Sequence, residues 1–207
     1  MRVFSCLVLA AGCAGSGALH QATLVGQCAE SDAACSKHHP LAPIAIGAHF
    51  QPEVAAELDG TASPNLKLES VDPSVIAIEA GQLVARRAGA STILISTDDG
   101  SVVDFELAWA APVTQVVLAR RDGERVTGTI AMTVGEDVTL VPSLWNGAQR
   151  LGGDADVRWT ASADAPIAVL RDGSVDRRRI RARAPGKSTL TVAFGDASAA
   201  IDVEVVP

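Results

Sequence analysis

Asp72 to Ile95 reads DPSVIAIEAGQLVARRAGASTILI, and Asp164 to Val192 reads DAPIAVLRDGSVDRRRIRARAPGKSTLTV. The two stretches follow one course: an Asp-led turn, an apolar run, a Gly turn, a second run, a Gly corner and a run rich in Ser and Thr. Matching them sets Gly89 over Gly186, Ser91-Thr92 over Ser188-Thr189, Leu83 over Ile180 and Ala85 over Ala182, an offset of 97 residues. Upstream the offset falls to 92, with Asp72 over Asp164, so the second copy carries about five extra residues in its Arg171 to Arg178 hairpin. Lengthening a loop is tolerated because closure entropy grows slowly with length. A self-similar segment at this spacing marks two successive domains, and 207 residues leave room for two of about ninety each.

Outward from the repeat, short runs of Val, Ile, Leu and Thr alternate with turn signals, and no segment keeps a helical apolar period. The chain is therefore expected to be all-β. In the first copy the strands are expected at Ile44 to Phe50, Val54 to Leu58, Leu66 to Val71, Val75 to Glu79, Gln82 to Arg87, Ser91 to Thr97 and Val102 to Trp109. In the second they are expected at Thr114 to Arg120, Thr129 to Val134, Asp137 to Ser143, Val157 to Ala161, Ile167 to Leu170, Arg179 to Arg183, Ser188 to Phe194 and Ala199 to Val205. Asp99-Gly100, Asn146-Gly147 and Asp172-Gly173 are hairpin signals, since Gly accepts the positive φ of a tight turn.

Two motifs carry a family resemblance. The first copy has Leu68-Glu69-Ser70-Val71-Asp72-Pro73-Ser74-Val75-Ile76-Ala77 followed by Ala88-Gly89-Ala90-Ser91-Thr92-Ile93. The second has Trp159-Thr160-Ala161-Ser162, one extra residue before Asp164, then Pro185-Gly186-Lys187-Ser188-Thr189-Leu190. This pattern resembles the bacterial immunoglobulin-like group 2 domain. The resemblance implies two tandem immunoglobulin-like β-sandwiches, over residues 41–110 and 111–207, with Trp159 as a core aromatic. It also implies modules that act as stalks and binding units.

Composition narrows the partners. Hydrophobic residues make up 48% of the chain, enough for packed cores, while aromatics are 3% with no Tyr, which argues against a broad stacking platform. A net charge of -7 and a pI near 5.0 oppose binding to a phosphate backbone, so nucleic acid is excluded as a partner.

At the N-terminus, Arg2 precedes an apolar run from Val3 to Ala11, the pattern of an export signal. Leu9-Ala10-Ala11-Gly12-Cys13 resembles the lipobox of bacterial lipoproteins. That resemblance implies a signal peptide over residues 1–12, a lipid on Cys13 and, because Ala14 rather than Asp follows, sorting to the outer membrane. The alternative is an ordinary cleaved signal and a secreted chain. Residues 13–40 are expected to form a tether rich in Ala, Gly, Ser and His. Within it, Cys28 and Cys35 are expected to pair as a disulfide, since an exported chain meets an oxidising compartment. A metal site of Cys28, Cys35, His38 and His39 is the competing reading, which the six-residue gap between the thiols does not favour.

No catalytic cluster is expected. His20, His38, His39 and His49 all lie in the tether or the first strand, leaving the second copy without an imidazole base. Asp98, Asp99, Asp154 and Asp156 fit turn chemistry better than a calcium loop, so no metal or cofactor is expected. One charge feature stands out. In Asp176-Arg177-Arg178-Arg179-Ile180-Arg181-Ala182-Arg183, strand periodicity puts Arg177, Arg179, Arg181 and Arg183 on one face and Arg178, Ile180 and Ala182 on the other. The stripe is either a solvated face that discourages edge pairing or a contact for an anionic ligand. The expectation is a non-enzymatic cell-envelope lipoprotein with a protein or glycan partner, serving adhesion, spacing or protein–protein interaction. The alternative is a carbohydrate-binding module built on Trp109 or Trp145.

Overall fold

Leu83, Ile93 and Ile95 of the first copy and their matches Ile180, Leu190 and Val192 of the second are buried almost completely. The strands that carry them close two sandwiches. The fold is described from a computed structural model over residues 19–26, 42–58 and 65–207. The expected signal peptide, Cys13, Cys28, Cys35, His38 and His39 lie outside the described residues.

The first unit contains β1 (Leu19–Gly26), β2 (Ile44–Ala45), β3 (His49–Phe50), β4 (Pro52–Leu58), β5 (Lys67–Ser70), β6 (Ile76–Glu79), β7 (Gln82–Ala85), β8 (Gly89–Ser96) and β9 (Val102–Ala111). One sheet has the order β2-β9-β8-β5, and β3-β7-β6 forms the layer facing it. The second unit contains β10 (Gln115–Arg120), β11 (Thr129–Thr133), β12 (Asp137–Asn146), β13 (Gln149–Arg150), β14 (Arg158–Thr160), β15 (Ile167–Asp172), β16 (Ser174–Ala182), β17 (Gly186–Phe194) and β18 (Ala197–Val206). Its sheets run β10-β12-β16-β15 and β11-β18-β17-β14. Pairing is antiparallel except where β2 meets β9 and β11 meets β18. The chain is thus all-β, with two tandem immunoglobulin-like β-sandwiches.

Hairpins position the cores. Between β6 and β7, Ala80 and Gly81 both take positive φ (49° and 79°), the two-residue turn whose twist matches its strands. That hairpin runs from Ile76 to its partner Ala85, 10 residues, while its counterpart runs from Ile167 to Ala182, 16 residues. The second is longer by six, close to the five expected. Apolar alternation then directs Leu83 and Ile180 inward, each side chain contributing about 1.5–3 kcal/mol of transfer free energy.

Two expectations need correction. The stretch expected as tether contains β1, which pairs with β4 from Gln21 opposite Glu57 to Gly26 opposite Pro52. It stands where β10 stands against β12 in the second unit, so the first unit draws on residues well before position 41. Long-range pairing, which composition does not register, overrides the polar, small-residue character of that stretch. The run expected as one strand from Ile44 to Phe50 is two. Gly47, at φ 86°, turns the chain so that Ile44 and Ala45 pair with β9 while His49 and Phe50 pair with β7 in the opposite layer.

The units dock end to end. Ala45 N–H donates to Gly152 O (3.0 Å) and Gly152 N–H to Pro43 O (2.8 Å). His49 and Asp154 exchange backbone bonds of 3.0 and 2.6 Å. Ile44, Ala45 and Ala48 join Leu151, Ala155 and Val157 in one continuous apolar cluster. Beyond the short connection at Trp109 to Pro112, the units share an interface made by a loop that begins almost forty residues later.

Candidate functional site

The Arg stripe lies on β16, whose register sets Asp137 of β12 opposite Arg181 and Thr139 opposite Arg179. Arg181 Nε and Nη2 donate to Asp137 Oδ1 and Oδ2, each at 2.7 Å, a two-pronged pair. The hydrogen bond from Arg181, with the charges of Arg181 and Arg179, holds the Asp137 carboxyl below its ordinary value, and Asp137 in turn raises the Arg181 guanidinium. Arg179 lies 3.8 Å from Asp137 Oδ2. Arg177 Nε donates to Asp172 O at 3.0 Å and lies 3.8 Å from its carboxylate. Arg178 is buried on the Ile180 side and donates to Arg177 O. Arg183 falls just past the strand, exposed, with its N–H on Pro166 O (2.7 Å). Two carboxylates therefore serve three of the four guanidinium groups, and the fork of Arg181 is already occupied.

The acidic turns are also committed locally. Asp99 Oδ1 accepts from Thr97 Oγ1 and from Ser101 N–H (3.1 Å), tying the β8–β9 hairpin, while Asp98 pairs with Lys67 at 3.0 Å. Asp72 accepts from Ser74 Oγ (2.6 Å) and N–H (3.0 Å); the Ser74 hydroxyl bond chiefly holds its carboxyl below the ordinary value. Among the described residues no group of three or more His, Cys, Asp or Glu is placed to hold a metal ion.

The three Trp residues have different settings. Trp159, opposite Val192 on β17, packs half-buried against the core, and its Nε1 is enclosed without a partner. Trp145 donates from Nε1 to Ser143 Oγ (2.9 Å), and the Arg125 guanidinium covers its ring at 4.9 Å. Arg125 also lines a shallow cleft of about 330 Å³ between β10 and β18. Trp109 is instead half-exposed (51%) on the outer face of β9, in line with Phe105 (66%) and Leu107 (50%).

Comparing the two units residue by residue isolates this face. On β8, Leu94, Thr92 and Ala90 stand opposite Phe105, Leu107 and Trp109. In the second unit the same register sets Thr191, Thr189 and Lys187 opposite Ala200, Asp202 and Glu204. There the face is polar: Thr189 donates to Asp202 (2.9 Å) and Lys187 pairs with Glu204 (3.2 Å). The inward residues agree between copies at Ala108 and Val203 and at Ala110 and Val205, all buried. Phe105 and Leu107 escaped the sequence reading. Laying β9 over β18 was the signal that would have found them.

No protein-family model matches the chain, and no curated protein matches it. Among solved structures, domains 4 and 5 of the S-layer protein SbsC are 13% identical, with 92% of this chain and 100% of that one covered at a TM-score of 0.35. The Yersinia pseudotuberculosis adhesin InvE is 12% identical over 93% of this chain and 61% of its own, at 0.36. The Escherichia coli adhesin FdeC is 11% identical over 81% and 61%, at 0.37. With likeness this distant, function has to be argued from the chain's own residues.

Proposed function

We propose that the chain is a non-enzymatic cell-envelope protein in which two sandwiches of the bacterial immunoglobulin-like group 2 type form a short rigid body. A lipid on Cys13 holds it to the outer membrane, and its role is adhesion, spacing or protein–protein contact. The observation that carries this is the docked junction. Four backbone hydrogen bonds and a shared apolar cluster join the units, while the chain enters and leaves at opposite ends. Leu19 pairs with Leu58, at the end of the first unit away from His49 and the junction. Val206 pairs with Thr133, at the end of the second unit away from Leu151 to Asp154. Such a body holds two surfaces at a fixed separation, which suits assembly and contact rather than turnover.

Two measurements test this. Fatty-acid labelling of cells should mark the wild type and not Cys13→Ala, and labelling of both or neither removes the anchor. Small-angle scattering of the Cys13→Ala chain should fit one rigid two-unit shape; a profile requiring independently tumbling units refutes the rigid body.

A carbohydrate-binding reading has one observation in its favour, the exposed Trp109 in line with Leu107 and Phe105. Trp145, under Arg125, is the poorer platform. Saturable binding on a glycan array, lost in Trp109→Ala, would favour this reading.

A further inference from the structure

Phe105, Leu107 and Trp109 are not demanded by the fold. The second unit closes the same sandwich with Ala200, Asp202 and Glu204 at the same register positions. An apolar strip that one copy has and its sibling lacks is a contact surface rather than a packing requirement. With Val102, also half-exposed, the strip follows β9 for seven residue steps, about 23 Å at the rise of a strand.

The geometry favours docking by the face rather than the edge. Asp104 and Glu106 stand opposite Ile95 and Ile93, on the inner side of the sheet, and inward carboxylates discourage an incoming strand. The outer positions next to the strip on β8 are Ala90, Thr92 and Leu94, none charged. Among the described strands of this sheet, charge enters that face on β5, as Lys67, already paired with Asp98, and Glu69. The occupant is therefore apolar and needs no fixed charge of its own.

Chain connectivity identifies it. Cys13 precedes Leu19 by six residues, which extend no further than roughly 20 Å. β1 lies alongside β9 and starts at the end where Val102 starts, remote from the junction. We infer that the outer face of the first unit's β9 sheet rests on the lipid bilayer, with Phe105, Leu107 and Trp109 at the headgroup and acyl boundary; this rests on the Cys13 anchor proposed above. Aromatic side chains favour that boundary, and an anchored chain meets the surface at high effective concentration, so a modest contact suffices. The body then lies along the membrane, with the second unit held close to the bilayer. Such a pose favours contact with envelope proteins over spacing.

The test uses the acylated protein purified from membranes and reconstituted into phosphatidylcholine vesicles, with and without bromine on the acyl chains. Bromolipid should quench part of the Trp emission, equally at low and high salt, and Trp109→Phe should abolish that part. Phe105→Ala with Leu107→Asp, residues the second copy carries at these positions, should reduce it by roughly half or more while the denaturation midpoint stays in place. The wild-type measurement depends on no variant, and absence of quenching there overturns the inference. A concentration-dependent dimer lost in the double variant, or a soluble glycan that relieves the quenching, assigns the face to another occupant and also overturns it. Fatty-acid labelling separates the two levels: label at Cys13 without quenching removes the face contact and keeps the anchor, whereas no label removes both.

Discussion

Gly153 carries the junction between the units, and Gly153→Ala tests it. Its φ is 95°, and a Cβ there would lie 3.0 Å from Ala48 Cβ, 3.1 Å from Ile44 Cγ2 and 3.2 Å from His49 O, all atoms of the first unit. The backbone alone costs an L-residue about 1–2 kcal/mol. Overpacking against three atoms, one of them backbone, adds about 1–3 kcal/mol. The total, about 2–5 kcal/mol, falls on the interface, because the clashing atoms belong to the other unit. At a urea slope of roughly 2 kcal/mol/M the midpoint should fall by about 1–2.5 M. Gly147→Ala is the control: φ is 58° with nothing within 4 Å of the added Cβ, so it has the strain without the contact and should cost about 1 kcal/mol. Trp109 reports on the first unit, and Trp145 and Trp159 report on the second. Wild type should unfold in one coincident transition, while Gly153→Ala should separate the two sets of signals and loosen the scattering profile. If Gly153→Ala matches Gly147→Ala in midpoint and leaves the profile unchanged, the units are not held together by this contact.

Leu83→Ala and Ile180→Ala remove equivalent, fully buried side chains, and each should lower stability by about 2–5 kcal/mol in chemical denaturation. Trp159→Ala should cost about 2–4 kcal/mol, less than a fully buried Trp because its ring is partly exposed. Trp159→Phe should recover most of that loss, since it removes an enclosed Nε1 that has no partner. The folded Asp137 carboxyl sits below the ordinary 3.8, so its stabilising share is complete above that value and is lost as pH falls through the lower folded value. Urea midpoints of wild type should therefore drop more steeply than those of Asp137→Asn below about pH 4, and parallel curves would remove the pair from the acid response. Arg179→Ala with Arg181→Ala should leave retention on heparin at low salt nearly unchanged, because Asp137 already holds Arg181; a large loss would restore the stripe as an anion site.

Much of the architecture was legible because the repeat stated it twice. Leu83 and Ile180 fall at matching positions of the repeat, and both are buried. What failed to show has physical causes. β1 is separated from β4 by a long connection, and strand pairing across such a gap leaves no local signature. The partner of Arg181 is 44 residues away in sequence, so the four-Arg face was legible while the pairing of Arg181 with Asp137 was not. Ile44 to Phe50 looked like one strand because alternation persists through Gly47 even as the chain changes layers.

β9 shows a different limit. Period two says which residues share a face, not which face is inside. In Asp104-Phe105-Glu106-Leu107-Ala108-Trp109-Ala110, hydrophobicity alone would bury Phe105, Leu107 and Trp109, yet Ala108 and Ala110 are the buried residues. The second copy decides between the two arrangements, since Val203 and Val205 occupy the same register and face inward beside polar Asp202 and Glu204. Both copies fold on the small inward set, and the large outward set is what the first copy has in addition. A one-residue slip of β9 would bury the aromatic side chains and expose Ala108 and Ala110. The Gly89 corner opposite Ala110 and the tight Asp99-Gly100 hairpin pin the register against that slip from both ends. The apolar face is thus held outward by the geometry of the turns, and the bilayer contact inferred above would cover it.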